Sequence, residues 1–548
     1  MKRTFILTLF LSVVLTSTYP CTNLIVGKGA SADGSVIVSY NADSYGMYGN
    51  LYYHVGGTHP KGEMRPVFEW DTNKYLGEIP QAERTYNVIG QMNENQVSIC
   101  ETTFGGHEEL VDPGGIIDYG SLIYIGLERS RTAREAIKIM TDLVAEYGYC
   151  SEGETFTIAD KNEVWLMEMV GMGPGSKNAA WVAVRIPDDC ISAHANQSRI
   201  TRYFTLFPKT DVIYNKDNVK FARQQGFFTG KDQDFSFRDA FNPLDFSGIR
   251  YCDARAWSFM RRHADGMDKY LPYINGEDMT GEMPLYVRPN HKLSVADVKN
   301  GMRDHYEGTP LDITSDLGAG AYSMPYRPSP LSFKVGEQEY FNERPTSTQQ
   351  TGFTFVGQMR SWLPDAIGGI VWWGNDDANM VPYTPIYCGA SDVPQCYLRK
   401  QDIQDEVTFS WQSAFWMQNV VSNMVYPYYS KMYPDLRRAI DQLEEEYTRE
   451  TPDIDRQAQA LAGNNPTEVG PMLARYSKAA AQHMMQTWDK LYRYLVVKHQ
   501  DMVVKKENDD GTFARTPDGL GAPPTRPGYP TEYRKRVVNE TGKRYEMK

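Results

Sequence analysis

Residues 21–44 read CTNLIVGKGASADGSVIVSYNADS, and the architecture of the chain can be worked out from this stretch. Two runs of β-branched and apolar residues flank Asp33-Gly34, a dipeptide that favours tight turns. We therefore expect a β-hairpin whose first strand starts at Cys21 and whose second strand ends near Asp43. In such a hairpin the two residues lie near the same end of neighbouring strands, so their side chains share one edge of a sheet.

The sequence beyond this hairpin alternates strand-like and helix-like segments. Spacing of 3.6 residues predicts helix from Leu122 to Tyr147, and residues 230–350, rich in Gly, Pro and Asp, predict long connections with short elements. Strands, then helices, then strands indicate an α+β layered fold. The predicted strands are 97–101, the hairpin 155–159 with 164–170, then 179–186, 190–195 ending at Asn196, and a strand-like segment at 352–373.

The last third of the chain has a different character. Residues 402–499 have a mainly helical composition, with an expected break between 463 and 471. Residues 505–548 are polar and rich in Pro and Gly, which predicts a loosely held tail.

The first twenty residues have the three parts of a secretory signal: a basic start at Lys2 and Arg3, a short apolar stretch, and a polar end. We therefore expect a signal peptide over 1–20 and export to a periplasmic or extracellular location. Export places the protein where disulfides can form. Seven cysteines in 548 residues are nevertheless too few for a disulfide scaffold, so the fold must depend on its core.

Composition excludes several classes of protein. With 41% hydrophobic and 23% charged residues the chain has ordinary globular usage. A net charge of −12 without a basic face argues against nucleic acid as a partner, and beyond residue 20 no apolar run is long enough for a membrane span. No CxxC, HExxH or phosphate-loop pattern occurs, so neither a metal nor an organic cofactor is implied.

Cys21 follows directly on the predicted leader, and three roles are open to it: a lipid-anchored cysteine, a structural thiol or half-cystine, and an N-terminal nucleophile exposed by processing. The third role has a simple chemical basis. An α-amino group has a pKa of about 7.7–8.0, so it can accept the thiol proton near neutral pH without a histidine. A carboxylate to orient the amine and an amide to hold the oxyanion would complete the site, and the sequence offers Asp43, Asn93, Asn196 and Arg255 for these roles.

These segments carry a resemblance to a known family. The chain resembles the C69 peptidases, dipeptidases of the N-terminal nucleophile hydrolase superfamily. The likeness extends from Cys21 to about Pro434. Its motifs are residues 21–35, Asn41-Ala-Asp43-Ser, Asn93-Glu94 with Val97-Ser-Ile and Thr102, Ala195-Asn196-Gln-Ser-Arg-Ile200, Arg255-Ala-Trp257, Gln358-Met-Arg360-Ser-Trp-Leu-Pro364 and Ser413-Ala-Phe-Trp416.

The resemblance implies a four-layer αββα sandwich with a mainly helical C-terminal part, in which Cys21 begins an inner strand and attacks an amide carbonyl. It assigns Asp43 to the nucleophile's amine, Asn196 to the oxyanion hole and Arg255 to the site. Where many relatives have arginine shortly before the aspartate, this chain has Tyr40-Asn41, and the second oxyanion donor maps onto residues 101–103. The implied division is a signal peptide over 1–20, a catalytic domain over 21–400, a helical region packed on it over 401–504, and a polar tail over 505–548.

The resulting expectation is an exported cysteine dipeptidase that acts on short peptides without a cofactor; a homo-oligomer is compatible with it. Asp43, Asp33 and Glu101 are the acidic residues near the first hairpin that could face a substrate ammonium. Two alternatives stay open at this point. One is an N-acyl amide hydrolase of the bile-salt or penicillin V acylase type with the same mechanism, and the other is a non-enzymatic exported binding protein.

Overall fold

A computed structural model describes residues 21–547, so the predicted signal peptide over 1–20 lies outside the described residues. The strands are β1 (Thr22–Val26), β2 (Val36–Asp43), β3 (Tyr53–His54), β4 (Met64–Phe68), β5 (Tyr75–Pro80), β6 (Val88–Ile89), β7 (Met92–Asn93), β8 (Ser98–Gly105), β9 (Gly153–Ala159), β10 (Val164–Gly171), β11 (Ala179–Ile186), β12 (Ile191–Ala195), β13 (Val212–Tyr214), β14 (Tyr286–Val287), β15 (Ser332–Val335), β16 (Gln338–Phe341), β17 (Thr351–Met359), β18 (Gly369–Asn375) and β19 (Thr384–Tyr387). The helices are α1 (Tyr119–Arg129), α2 (Ala133–Tyr147), α3 (Tyr203–Leu206), α4 (Asn218–Gln225), α5 (Phe237–Phe241), α6 (Ala254–His263), α7 (Leu271–Ile274), α8 (Val295–Met302), α9 (Asp365–Gly368), α10 (Ala414–Val425), α11 (Tyr429–Asn464), α12 (Val469–Lys498) and α13 (Thr531–Thr541).

Two large antiparallel sheets form the centre of the molecule. The first has the strand order β14-β12-β1-β2-β17-β18-β19, and the second has the order β13-β11-β10-β9-β8-β7-β6-β3. Strands β1, β2 and β12 of the first sheet contact β8 of the second. Helices α1 and α2 pack on the second sheet, while α6, α8, α10 and α12 pack on the first. The expectation of an α+β chain is confirmed at the level of a mixed fold with antiparallel sheets and a helical C-terminal part.

The first hairpin forms as predicted. Strands β1 and β2 pair antiparallel with Thr22 opposite Asn41 and Val26 opposite Ile37. At the turn, the Asp33 carboxylate accepts a hydrogen bond of 3.0 Å from the Ser35 backbone N–H, and Gly34 adopts a φ of +86°. A side chain at that φ would be strained, so the turn needs a glycine there. Asp33 supplies the hydrogen-bond acceptor and Gly34 supplies the positive φ.

The helical run predicted from Leu122 to Tyr147 is two helices. It breaks between α1 and α2, where the Thr132 side chain accepts a hydrogen bond from the Glu135 N–H and caps the N-terminus of α2. Asp160, at the tip of the β9–β10 hairpin, accepts a further bond of 2.9 Å from the Ala133 N–H. The spacing of apolar residues does not reveal such a break, because it continues from one helix into the next. The signal for the break in the sequence is Thr132, a residue type that favours helix N-caps.

The predicted helical segment of the last third is also present. Helices α11 and α12 lie against each other and against β19, and the break between them falls at residues 465–468. One buried hydrophobic cluster extends from Cys21 to Leu495, so these helices share the core of the sheets. In the polar tail, α13 contains no buried residue. No helix among residues 21–547 is long and apolar enough to cross a membrane.

Residues 230–350 contain more regular structure than expected. Helix α6 has ten residues and follows directly on a π-helical turn, Gly248–Asp253. The apolar residues Ala254, Trp257 and Met260 recur at intervals of three and are all buried, a spacing that favours helix. This helix carries Arg255 and packs on β12.

Candidate active site

Cys21 lies immediately before β1, between the two sheets, and its side chain is buried. Its Sγ lies 3.5 Å from the Tyr40 hydroxyl and 3.7 Å from Oε1 of Glu101, to which it donates. The Tyr40 hydroxyl also donates a short hydrogen bond to Glu101. Because β2 supplies Tyr40 and β8 supplies Glu101, both sheets contribute to the surroundings of the thiol. The Asn23 side-chain amide ties them together here by donating to the Glu101 carbonyl at 2.7 Å.

All seven cysteines are free thiols, and Cys21 is among them. This finding disagrees with the half-cystine alternative for Cys21. It leaves a buried thiol with polar neighbours, which is the arrangement that a nucleophile needs and a packing residue does not.

Arg255 joins the nucleophile to the predicted oxyanion residue. Its guanidinium is fully buried; Nη1 donates to the Cys21 carbonyl at 2.5 Å and to the Thr22 hydroxyl at 2.6 Å, and Nη2 donates to Oδ1 of Asn196 at 2.7 Å. The Nε atom donates to the Tyr251 carbonyl at 2.6 Å, which fixes the rotation of the guanidinium group, called the Arg255 fork below. A planar five-donor group is suited to hold several acceptors in a fixed geometry.

Strand register places Asn196 at the end of β1 where Cys21 lies. Strand β12 pairs with β1 so that Ala195 lies opposite Thr22, and Asn196 follows on the side of Cys21. Its Nδ2 donates to the Thr103 carbonyl at 2.7 Å, while Oδ1 accepts from Arg255. The two ends of the amide are therefore distinguished, with the oxygen toward the guanidinium and the donor nitrogen toward β8.

Asp43 lies near Cys21 as predicted, but its carboxylate is already engaged. It accepts a hydrogen bond of 2.5 Å from Arg344 and one of 2.6 Å from the Thr351 hydroxyl, and all three residues are buried. Burial raises the pKa of Asp43, while the Arg344 guanidinium and the Thr351 hydroxyl oppose that rise. Arg344 is a residue that sequence reasoning missed, because it comes from the long connection before β17, 301 residues away along the chain.

Two buried glutamates face each other beside the thiol. Glu101 on β8 and Glu154 on β9 lie on neighbouring antiparallel strands, and Thr103 donates to Glu154 at 2.7 Å. The two carboxyl groups lie within hydrogen-bond reach of each other, and no other described residue donates to their buried Oε2 atoms. Burial raises the pKa of Glu101, and burial together with the charge of Glu101 raises the pKa of Glu154 well above its ordinary value. Glu154 was not identified from the sequence.

The other polar candidates lie elsewhere or have structural roles. Asn93 donates to the carbonyls of Leu127 and Ser130 at 2.7 and 2.8 Å, so it closes the end of α1 and does not join the site. Asp33 is at the opposite end of the first hairpin from Cys21. His194 is the histidine on β12 closest in sequence to Asn196, but Thr102 and Thr157 occupy both ring nitrogens. Burial lowers the pKa of His194 well below its ordinary value, so it serves as a neutral link between the sheets.

The electrostatic environment keeps the thiol protonated in the absence of substrate. Burial is the largest cause of the raised pKa of Cys21, followed by the negative charges of Glu101 and Asp43; hydrogen bonds from Tyr40 and from the Asp43 backbone oppose it. Thiolate is the reactive form of cysteine, so the site needs a base or a compensating positive charge to become active.

A first prediction concerns the reactivity of this thiol. Removing one nearby negative charge lowers a thiol pKa, so we expect Glu101→Gln to shift the pH profile of iodoacetamide alkylation at Cys21 to lower pH. The rate at Cys21 is measured by mass spectrometry of the peptide that contains it, from pH 6 to 10. Glu152→Gln, which changes an exposed carboxylate two residues before Glu154, is the matched control and should keep the wild-type profile. An unchanged profile in Glu101→Gln would remove Glu101 as an electrostatic neighbour of the thiol.

Comparison with known proteins agrees with the resemblance. The profile of Peptidase family C69 matches residues 20–442. A probable dipeptidase of Latilactobacillus sakei is 26% identical over 431 residues, covering 75% of this chain and 81% of the relative. A probable dipeptidase of Salmonella dublin is 28% identical over 389 residues, covering 67% and 81%, and a dipeptidase of Bifidobacterium longum is 25% identical over 442 residues, covering 73% and 76%.

Proposed function

Because the chain belongs to peptidase family C69 and is therefore a peptide-bond hydrolase, we propose that it is a dipeptidase whose nucleophile is the Cys21 thiol. Three relatives named dipeptidase or probable dipeptidase, each matched over most of its length, support the substrate class. Export after removal of residues 1–20, and the αββα sandwich of the N-terminal nucleophile hydrolases, are part of the same proposal. The stacked antiparallel sheets with helices on both of them support the sandwich.

The proposed reaction has two stages. The Cys21 sulfur attacks the peptide carbonyl carbon, its proton passes to the Cys21 α-amine once the preceding residues are removed, and a tetrahedral oxyanion forms. The C–N bond then breaks as the amine returns that proton to the leaving amino acid, which leaves a thioester on Cys21. A water molecule hydrolyses the thioester by the reverse sequence of proton transfers, so the products are two amino acids and the free thiol.

The observation that carries this proposal is the Arg255 fork, which holds the Cys21 carbonyl and the Asn196 amide oxygen at 2.5 and 2.7 Å. We assign Asn196 Nδ2 as an oxyanion donor, because Arg255 fixes the orientation of that amide beside the thiol. Arg255 is then a positioning residue. Asp43 contributes through its backbone at the thiol and through its buried pair with Arg344, which fixes the end of β2 next to the amine.

The N-acyl amide hydrolase is the alternative that shares this mechanism and differs in substrate. A dipeptide carries an ammonium next to the attacked carbonyl, whereas a bile-salt or penicillin V amide presents an apolar acyl group there. An apolar acyl chain beside these two buried carboxyl groups would offer them neither an opposite charge nor a further hydrogen-bond donor, which is costly. The Glu101–Glu154 pair beside Cys21 therefore favours the dipeptidase.

A substrate panel tests the proposed function. We expect a dipeptide to react at least about 10²-fold faster than its N-acetyl form, because acetylation removes the charge and leaves the carboxylate without its charged partner, at a cost of about 3 kcal/mol. The measurement is kcat/KM for a panel of dipeptides, their N-acetyl forms, and a bile-salt or penicillin V amide on one preparation. If the last of these is the best substrate, the acylase alternative is correct and the Cys21 mechanism is retained.

A further inference from the structure

We propose that Glu101 and Glu154 form the binding site for the α-ammonium group of the substrate's first residue, with Glu101 in direct contact. This inference rests on the proposed dipeptidase function, since it names the group that recognises the substrate. No metal or second protein is needed for it. Three observations support it: the position of Glu101 relative to the sulfur, a buried pair of carboxyl groups with no cation beside it among residues 21–547, and the engagement or distance of the other acids.

The distance from the thiol fits an ammonium in this place. In a dipeptide the α-nitrogen is two bonds, or about 2.5 Å, from the carbonyl carbon that is attacked. The attacking sulfur approaches that carbon to about 3–3.5 Å, and an ammonium–carboxylate hydrogen bond spans about 2.7–2.9 Å. A path of these three lengths can connect Cys21 Sγ to Glu101 Oε1, two atoms that are 3.7 Å apart. A carboxylate at that distance is therefore within reach of the ammonium on the residue under attack.

The pair also has acceptor atoms to offer. Glu101 is 2% exposed and Glu154 is fully buried, and the two carboxyl groups lie within hydrogen-bond reach of each other; no other residue among 21–547 donates to the Oε2 atom of either. Carboxylates are almost never fully buried without a partner, because desolvating the charge costs free energy that only a hydrogen bond or an opposite charge returns. A substrate ammonium supplies both.

The competing acids are already engaged. Asp43 is paired with Arg344 and Thr351, and Asp33 lies at the far end of the first hairpin. Burial raises the pKa of Asp71 to about 6, and the Asp71 carboxylate accepts a hydrogen bond of 3.0 Å from the Tyr119 hydroxyl. Of the acids suggested by the sequence, Glu101 is thus the one whose carboxyl contacts the thiol, and its other side-chain partners in the described structure are the Tyr40 hydroxyl and the Glu154 carboxyl, not a cation.

The same arrangement links recognition to activation. The negative charge of Glu101 raises the pKa of the Cys21 thiol in the empty site. An ammonium that neutralises this charge lowers the thiol pKa again, so a substrate with a free amine both binds and favours thiolate formation. A substrate without the amine does neither.

The test compares a dipeptide with a competitive inhibitor that lacks only the amine. The substrate is the fastest dipeptide of the panel, and the inhibitor is its des-amino form, in which hydrogen replaces the ammonium group. Wild type, Glu101→Gln, Glu154→Gln and the control Glu83→Gln, which changes an exposed carboxylate between β5 and β6, are each measured for kcat/KM on the dipeptide and for the inhibition constant of the des-amino compound. Glutamine keeps the size of the side chain, and thermal unfolding checks that each variant is folded.

We expect Glu101→Gln to lower kcat/KM for the dipeptide about 10- to 10²-fold, Glu154→Gln to lower it by less, and Glu83→Gln to leave it unchanged. The inhibition constant of the des-amino compound should stay within about threefold of wild type or improve, because that compound has no ammonium to lose. The inference is overturned if Glu101→Gln retains wild-type kcat/KM, or if inhibitor binding weakens in parallel, since the role would then be structural. Failure of the wild type to cleave any dipeptide would instead reject the proposed function.

Discussion

Replacing Cys21 with alanine is expected to abolish dipeptide hydrolysis, because no other group in the described site can form the acyl-enzyme. His194 has both ring nitrogens occupied, and Glu101 and Asp43 are held by Tyr40 and Arg344. Cys21→Ser should retain little activity, since a hydroxyl is a weaker nucleophile than a thiol near neutral pH. The measurement is kcat/KM on the dipeptide panel.

The controls for Cys21 separate chemistry from folding. Cys150→Ala removes a partly exposed thiol remote in sequence from the motifs and should keep full activity. The Cys21 variants should unfold at temperatures close to wild type, because the change is small and leaves the Arg255 hydrogen bonds to the Cys21 carbonyl, Thr22 and Asn196 in place. If processing is autocatalytic, Cys21→Ala also leaves a longer precursor. Near-wild-type turnover by Cys21→Ala would reject the assignment of the nucleophile.

Replacing Asn196 with alanine is expected to lower kcat by about 10²–10³ with a smaller change in KM. An oxyanion donor acts mainly as negative charge develops on the carbonyl oxygen, so its loss affects the chemical step more than binding. Arg255→Lys is the companion variant. A single ammonium cannot hold the Cys21 carbonyl and the Asn196 amide in the geometry of the guanidinium fork, so kcat should fall in the same direction.

A matched change elsewhere sets the baseline for this second prediction. Asn423→Ala, on the exposed side of α10, removes an amide that bonds only to Asn419 in the described structure. It should leave kcat and KM unchanged. If Asn196→Ala also keeps the wild-type kcat, the oxyanion role would move to the backbone of residues 101–103.

The part of the site that sequence could predict is the part carried by strand register. Alternation and the Asp33-Gly34 turn were enough to pair β1 with β2 and to place Asp43 near Cys21, and both features are present. A strand ending at Asn196 was also predictable, and its pairing with β1 brings Asn196 to the end of β1 where Cys21 lies. These are local patterns, and the chemistry of a leading cysteine gave a reason to look for such partners.

The remaining features depend on contacts that no local pattern encodes. Arg344 reaches Asp43 across 301 residues of sequence, and Glu154 becomes significant only because β9 pairs with β8 beside the thiol. A glutamate in an alternating strand has the same sequence signature whether it faces solvent or a second buried carboxylate. The apolar residues of helix α6 recur at intervals of three, which is a helical signal, but the Gly and Pro content of the surrounding residues indicated a loop instead.

The N-terminal residue of the purified, active enzyme decides whether Cys21 can act as proposed. The proposed mechanism requires a free α-amine on the nucleophile to accept the thiol proton, so N-terminal sequencing and intact mass should both give a chain that starts at Cys21. Activity on dipeptides should appear only in preparations with that start. A fully active enzyme that retains residues upstream of Cys21 would leave the thiol without its base and would contradict the proposed mechanism.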